Sequence, residues 1–388
     1  MSSPDASPPS PVPVLDWSGP TLASVLPSVA AGLGVPAYAG RDVLGLPDAA
    51  RTVVVLVDGL GHDLLRQRSG HAPFLRSRFD SMQRVPCGFP TTTATSMGSF
   101  GTGLPPGSHG LVGMQVLDPD TDRVLNELSW ENGPDPRTWQ PNRTVFEEAA
   151  SAGLAVTMVG PHYFDGSGLT TAALRGGRFR AAHALEARVD AALSAVRAAP
   201  RSLVYLYWGE VDKVGHVHGC QSWQWGDEVE AVDAALRRLV GSVPPDTSVV
   251  VTADHGMVDV PFEARVDLVD EPALMAGVRH LGGEPRNPQL YTQAGALAEV
   301  AAAWTERFAG RARVLTREQA VDEGWFGAVS ARVAPRIGDL LVVTGDGLAV
   351  VHSGLMRPEV VRLLGLHGST SDAELAVPVV VVPPRLAP

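Results

Sequence analysis

The sequence predicts an α/β protein, a mostly parallel sheet wound on both faces by helices and interrupted late by an inserted subdomain. Three observations lead there. Residues 52–57, 202–208 and 247–252 are apolar, β-branched or aromatic runs without alternation, which suits strands buried on both faces. Helical patterns fall between those runs, the mark of parallel strands joined by crossovers. Residues 261–335 then break the rhythm with Pro/Gly-rich joints around an Ala-rich helix, and read as a cap subdomain over the core formed by residues 15–260 and 336–388.

Residues 1–14 are Ser/Pro-rich, with no basic residue and no apolar centre, so a disordered arm is expected rather than a signal peptide. A helix follows over 22–33, ending at glycine. The strand 52–57 runs into Asp58-Gly59-Leu60-Gly61, and a helix starts at His62. A carboxylate at the carboxyl end of a central strand is where α/β sheets place ligand chemistry, although an N-cap aspartate would look the same.

A strand over 82–86 leads into Phe89-Pro90-Thr91-Thr92-Thr93. The threonines are suited to capping a helix, and the small residues from Ala94 to Gly103 let that helix lie close on a sheet. Its first-turn N–H groups can attract an anion. A threonine there can attack phosphorus once its proton is removed or its charge masked. Read alone, the stretch is a hydroxyl-rich cap on a buried helix.

Turn residues 118–123 predict a hairpin of 115–117 with 124–128. Thr144 caps a helix that Gly153 stops, a strand follows over 155–159, and an amphipathic helix over 184–198. The strand 202–208 empties into Gly209 to Gly219, which holds Asp212 and His216. A helix over 228–240 precedes the strand 247–252, which ends at Asp254-His255-Gly256. Within the insertion, a helix is expected over 294–308 and a strand over 312–315. Arg336-Ile337-Gly338-Asp339 leads back to a strand over 340–344, then His367-Gly368 and a last strand over 377–382.

The net charge of −11 argues against nucleic acid as the main partner and requires that any phosphate substrate meet a local positive charge. Lys213 is the only lysine. Two cysteines, Cys87 and Cys220, make no disulfide framework, and reduced thiols in the cytoplasm are expected. No apolar run reaches membrane-spanning length, so no membrane partner is expected. Oligomeric state is not legible.

Three strands thus end in related chemistry: Asp58; Asp212 with His216; Asp254 with His255. His367 arrives last. Three carboxylates and three imidazoles suffice for two divalent ions with positions open to substrate and water. Mixed His/Asp ligation favours zinc, with manganese or iron as alternatives. Each member has a plainer explanation: a helix-surface pair for Asp212 and His216, a capped turn for Asp254-His255, a core histidine for His367. His109, His162 and His352 are read as structural, and His218 as a neighbour of the ligands.

Val57-Asp58-Gly59-Leu60-Gly61, Phe89 to Thr93, Thr102-Gly103-Leu104 through Ser108-His109-Gly110, Asp212 to His216, Ala253-Asp254-His255-Gly256-Met257, Arg336 to Asp339 and His367-Gly368 occur in order. With these pieces the chain resembles the type I phosphodiesterase and nucleotide pyrophosphatase family of the alkaline phosphatase superfamily. The resemblance implies a three-layer α/β/α sandwich with an inserted cap whose residues set specificity. It implies Thr93 as nucleophile, Asp58, Asp254 and His255 as ligands of one metal, and Asp212, His216 and His367 as ligands of the other. The implied activity is metal-dependent cleavage of small phosphodiesters or pyrophosphates through a phosphothreonine. A phosphomonoesterase, a phosphonate hydrolase and a metal-binding scaffold are the alternatives. Met114 stands where eukaryotic members have an asparagine that holds a phosphoryl oxygen, and a thioether cannot donate that bond. Gln115 is adjacent and could substitute, and Thr92 stands where lysine is common; Lys213, next to a ligand, is either a further substrate contact or a solvated lysine.

Overall fold

The structure, a computed structural model, describes residues 15–345 and 347–385, so the arm expected over 1–14 lies outside it. Seven strands form one sheet in the order Gln83–Pro86, Ala376–Val382, Thr247–Thr252, Arg51–Val57, Ser202–Trp208, Ala155–Gly160, Arg178–Ala181. Six share one direction, and Ala376–Val382 lies antiparallel to both neighbours. Arg51–Val57 is central, paired with Ser202–Trp208 on one side and Thr247–Thr252 on the other. Strands on both sides and helices above and below explain its unbroken apolar sequence.

Alternation along the strands divides the two faces. Val55, Val57, Leu206 and Trp208 meet Val189, Leu236 and Leu239 of the helices Leu185–Arg197 and Trp223–Ser242. Tyr205 points the other way, against Phe100 and Phe146 of the helices Thr93–Thr102 and Val145–Ser151. The three layers expected from the resemblance are therefore present. No helix among the described residues is long and apolar enough to cross a membrane.

A second sheet is antiparallel, in the order Val278–Glu284, Asn287–Thr292, Leu340–Thr344, Ala312–Thr316. It has its own core, which includes Leu290, Trp304, Phe308 and Val342. The strand Leu340–Thr344 was expected to return the chain to the core, but it pairs inside this second sheet. A short buried run of Leu and Val has the same appearance in either sheet, so its own residues do not choose between them. The chain rejoins the large sheet only at Ala376–Val382. The hairpin over residues 278–292 has no strand signal, because Gly282, Gly283, Pro285 and Pro288 interrupt it.

Candidate active site

The three central strands lie side by side and parallel, so their carboxyl ends open on one edge. Asp58 follows the first. Asp254 and His255 follow the strand Thr247–Thr252 after the single residue Ala253. Asp212 and His216 stand one turn apart on the helix Glu210–His218, which starts just after Trp208. Gly59, at φ 71°, lets the Asp58 loop close onto this helix: a Cβ there would lie 2.8 Å from Cα of Asp212. His367 arrives from the opposite side on Gly365–Leu366, which pairs with Val258–Asp259. Thr93 is the first residue of the helix Thr93–Thr102, with Thr92 as its extended N-cap. The Thr93 hydroxyl lies 3.2 Å from Nε2 of His255.

The three imidazoles share one orientation rule. Nδ1 of His255 is 3.0 Å from the Gly256 carbonyl, Nδ1 of His216 is 2.7 Å from the Gly365 carbonyl, and Nδ1 of His367 is 2.8 Å from the Thr91 carbonyl. A carbonyl can only accept, so each Nδ1 carries a proton and donates it. In the neutral rings each Nε2 keeps its lone pair. These Nε2 atoms converge on carboxylates: His255 on Asp58 and Asp254 at 3.5 and 3.4 Å, His216 on Asp212 at 3.2 Å, His367 on Asp212 at 4.0 Å. The His255 and His367 rings stack with centroids 3.8 Å apart.

Asp58 and Asp254 each have one satisfied oxygen and one orphan, and Asp212 also carries an orphan oxygen. Asp58 Oδ2 accepts from the Tyr207 hydroxyl at 2.5 Å, and Asp254 Oδ1 accepts from the amides of Gly59 and His255. Asp58 Oδ1, Asp212 Oδ1 and Asp254 Oδ2 are buried with no hydrogen-bond donor. Three orphaned carboxylate oxygens beside three Nε2 atoms form a cradle of acceptors that could hold a metal ion. The donor set suits zinc, and its imidazoles are held through Nδ1 as metal-bound histidines commonly are.

Two ligand groups emerge, each with its atoms within 4.8 Å of one another: Asp212, His216 and His367; and Asp58, Asp212 and His255. Asp212 thus stands between the two, where the resemblance implied one metal only. Burial, then the neighbouring Asp254 and Asp212 carboxylates, push the Asp58 carboxyl well above its usual range. Burial would raise Asp212 as well, but the His216 imidazole outweighs it and holds Asp212 low. Burial opposes the reciprocal effect on His216, yet Asp212 raises that ring to about 8. Burial and the two neighbouring imidazoles push His367 well below the usual range.

A cavity of about 440 Å³ opens beside Thr93 and Asp58. Its walls are apolar and aromatic: Met97, Met158, Tyr163, Phe164, Phe179 and Tyr207 are among them. The inserted segment expected to set specificity supplies none of its lining, which comes from the core between residues 58 and 212. Gln115 opens the strand Gln115–Asp118, its carbonyl against Gly282, and does not line the cavity. Lys213 points to solvent, 70% exposed and paired with Glu210 at 3.2 Å. One residue along a helix is about 100° around its axis, so adjacency to Asp212 does not bring Lys213 to the site. His109 is buried and structural: Nδ1 accepts from the Leu111 amide and Nε2 donates to the Ser99 hydroxyl.

Three contributors escaped the sequence reading. Tyr207 braces Asp58, and its signal was the Tyr205/Tyr207 alternation in the strand before Asp212. Thr91 accepts from the Gly368 amide and donates to the Ser369 carbonyl, fixing the His367 loop. Glu284, from the second sheet, lies behind His367.

The family description "type I phosphodiesterase / nucleotide pyrophosphatase" matches residues 52–370, a span that takes in Thr93 and all six clustered side chains. The chain belongs to that family. Within it, ectonucleotide pyrophosphatase/phosphodiesterase 1 of Saccharomyces cerevisiae is 26% identical over 291 residues, covering 59% of this chain and 37% of that protein. The match thus spans little more than a third of that relative's length. Among solved structures, murine ectonucleotide pyrophosphatase/phosphodiesterase 5, in an inactive threonine-to-alanine form with AMP, superposes with a TM-score of 0.70 at 19% identity, covering 86% of this chain and 88% of that one. Phosphonoacetate hydrolase from Sinorhizobium meliloti reaches 0.64 at 20% identity, covering 88% and 92%. At such identities the two share the alkaline-phosphatase-like fold with this family member, and the likeness extends no further.

Proposed function

We propose that this chain is a metal-dependent hydrolase of phosphodiester or pyrophosphate bonds that works through a phosphothreonine on Thr93. The observation that carries it is the ring of unpartnered acceptors around the Thr93 hydroxyl, at the base of an apolar cavity. Two divalent cations, zinc first and manganese or iron as alternatives, held by Asp58, Asp254 and His255 and by Asp212, His216 and His367, would acidify the hydroxyl and the attacking water and neutralise phosphoryl charge.

The chain's own groups do the rest. Thr93 Oγ1 gives its proton to solvent and attacks phosphorus; its bond to phosphorus forms as the ester P–O bond breaks, and the leaving oxygen takes a proton from solvent. Water then attacks the same phosphorus, the bond to Thr93 breaks, and the hydroxyl is restored. Free N–H groups in the first turn of the helix Thr93–Thr102 are disposed to hold a non-bridging oxygen. Tyr207 holds Asp58 in place, and the Nδ1 protons of the three histidines hold their rings. An inactive threonine-to-alanine relative supports a reacting threonine in this family.

The cavity favours a diester. It is lined by Asp58 and Asp212 and by no arginine, lysine or asparagine. A phosphomonoester carries a second negative charge with no side-chain cation to meet it, and a carboxylated phosphonate has the same difficulty. The aromatic walls suit a flat or apolar ester group. Small phosphate esters, rather than nucleic acid, are the partners that accord with the charge of −11. The buried free thiols Cys87 and Cys220 accord with a cytoplasmic location.

The test compares hydrolysis of bis-aryl and mono-aryl phosphates, by wild type and Thr93→Ala, with metal content measured on both. The diester should be turned over faster, and Thr93→Ala should lose turnover while keeping about two ions per chain. Full activity in that variant removes Thr93 from the mechanism.

A further inference from the structure

Glu284 ends the strand Val278–Glu284 of the inserted sheet and is 2% exposed. Its Oε2 stands 3.6 Å from Nδ1 of His367. That is too long for a hydrogen bond, and burial pushes the carboxyl up to about 8; a cation held beside His367 would draw it to its ionised form, and a charge at this distance acts strongly in a buried site. The Nδ1 proton itself goes to the Thr91 carbonyl. Oε1 of Glu284 has no hydrogen-bond donor. The Thr92 hydroxyl and the Met114 amide face the carboxyl without full hydrogen-bond geometry. One acid from the insert therefore touches the residue before Thr93, the residue at the asparagine position and an imidazole of the cluster.

The placement is enforced from both sides. Glu284 pairs with Asn287 across a two-residue turn that contains Arg286. Arg286 is fully buried and grips both oxygens of Glu374 at 2.8 Å. Glu374 also accepts from the Ser369 amide and the Ser371 hydroxyl. One carboxylate thus ties the hairpin bearing Glu284 to the loop bearing His367. Gly368, at φ 122°, completes the fit: a Cβ there would sit 2.5 Å from Cγ of Glu284.

The charges are also uneven. Asp212, His216 and His367 offer one carboxylate and two imidazoles, whereas Asp58, Asp254 and His255 offer two carboxylates and one imidazole. We infer that Glu284 is a positioning residue that orients His367 together with the Thr91 carbonyl and supplies negative charge behind it, so that the inserted sheet sets the cation affinity of the Asp212–His216–His367 group. The inference rests on the two-cation reading above.

The test is chelator competition with zinc on the full chain, for wild type, Glu284→Gln and Glu284→Asp, together with thermal unfolding of the chelator-stripped proteins. Glu284→Gln keeps the shape and loses the charge. It should weaken one of the two zinc ions about tenfold to a hundredfold, leave the other unchanged, and leave the stripped protein's midpoint where it was. Glu284→Asp, which keeps the charge one methylene further back, should fall between. Equal zinc affinity in Glu284→Gln and wild type overturns the inference. So does a loss matched by lower stability of the stripped protein and not relieved in Glu284→Asp, because that pattern marks a packing role. Wild type that binds no divalent cation would instead remove the two-cation reading, and this inference with it.

Discussion

Replacing Arg286 by methionine tests how the two sheets are joined. The guanidinium makes two bonds to Glu374 and one each to the carbonyls of Gly345 and Leu348, at 2.8 to 3.0 Å, with both partners of the ion pair fully buried. Arg286→Met leaves those carbonyls unpaired and Glu374 with only the Ser369 and Ser371 donors. Breaking a buried, hydrogen-bonded ion pair on one side costs about 3–5 kcal/mol. At roughly 2 cal/mol/K per residue, a chain of this length unfolds with about 0.8 kcal/mol per degree, so the midpoint should fall by about 4–6 °C. The assay is urea and thermal unfolding followed by tryptophan emission, since Trp225 and Trp304 report on the main and inserted cores. Glu374→Gln should cost a similar amount. The double variant should cost clearly less than the sum, because each single change already strands the other partner. Single losses below about 1 kcal/mol, or strict additivity, would refute the view that this pair clamps the insert to the core.

Two further outcomes follow from the site and its surroundings. Tyr207→Phe removes the hydroxyl that donates to Asp58; zinc affinity and kcat/KM for a bis-aryl phosphate should each fall about tenfold or more, and unchanged values in a titration and an initial-rate assay would show that the bond is idle. His109 is held neutral, its pKa lowered to about 3 by burial and then by Arg332 and Arg336, against an ordinary value near 6.5 when unfolded. Its contribution is therefore complete above about pH 6.5 and is lost as pH falls toward 3, at up to about 1.4 kcal/mol per pH unit. Urea midpoints at pH 7 and pH 5 should differ less in His109→Gln than in wild type, and an equal difference would show that this ring does not govern the acid limb.

Much of the fold was legible because it is written locally. The runs 52–57, 202–208 and 247–252 have the unbroken apolar pattern of strands covered on both faces, and each is followed within four residues by its acid. Thr144 caps the helix as expected, and the structure adds Glu147, which closes a capping box with it. Leu340–Thr344 was placed with the wrong neighbours because a buried strand does not encode which edge it joins. The hairpin over 278–292 was missed because it is held by Arg286 and Gln289 reaching other segments, not by its own side-chain pattern. Gln115 and Lys213 were chosen by adjacency in the chain, and helix and strand geometry turned both away from the cavity.

The sequence by itself marked the side chains that could ligate a cation and set five of them shortly after the ends of three buried strands. Strand order, which depends on how whole layers pack, was needed to bring those ends together. Only the tertiary structure decided that Asp212 stands between the two groups, that aromatic residues of the core rather than the insert wall the cavity, and that Glu284 backs His367. These are contacts between segments far apart in the chain, and such contacts leave no periodicity in either partner for a reader of one sequence to find.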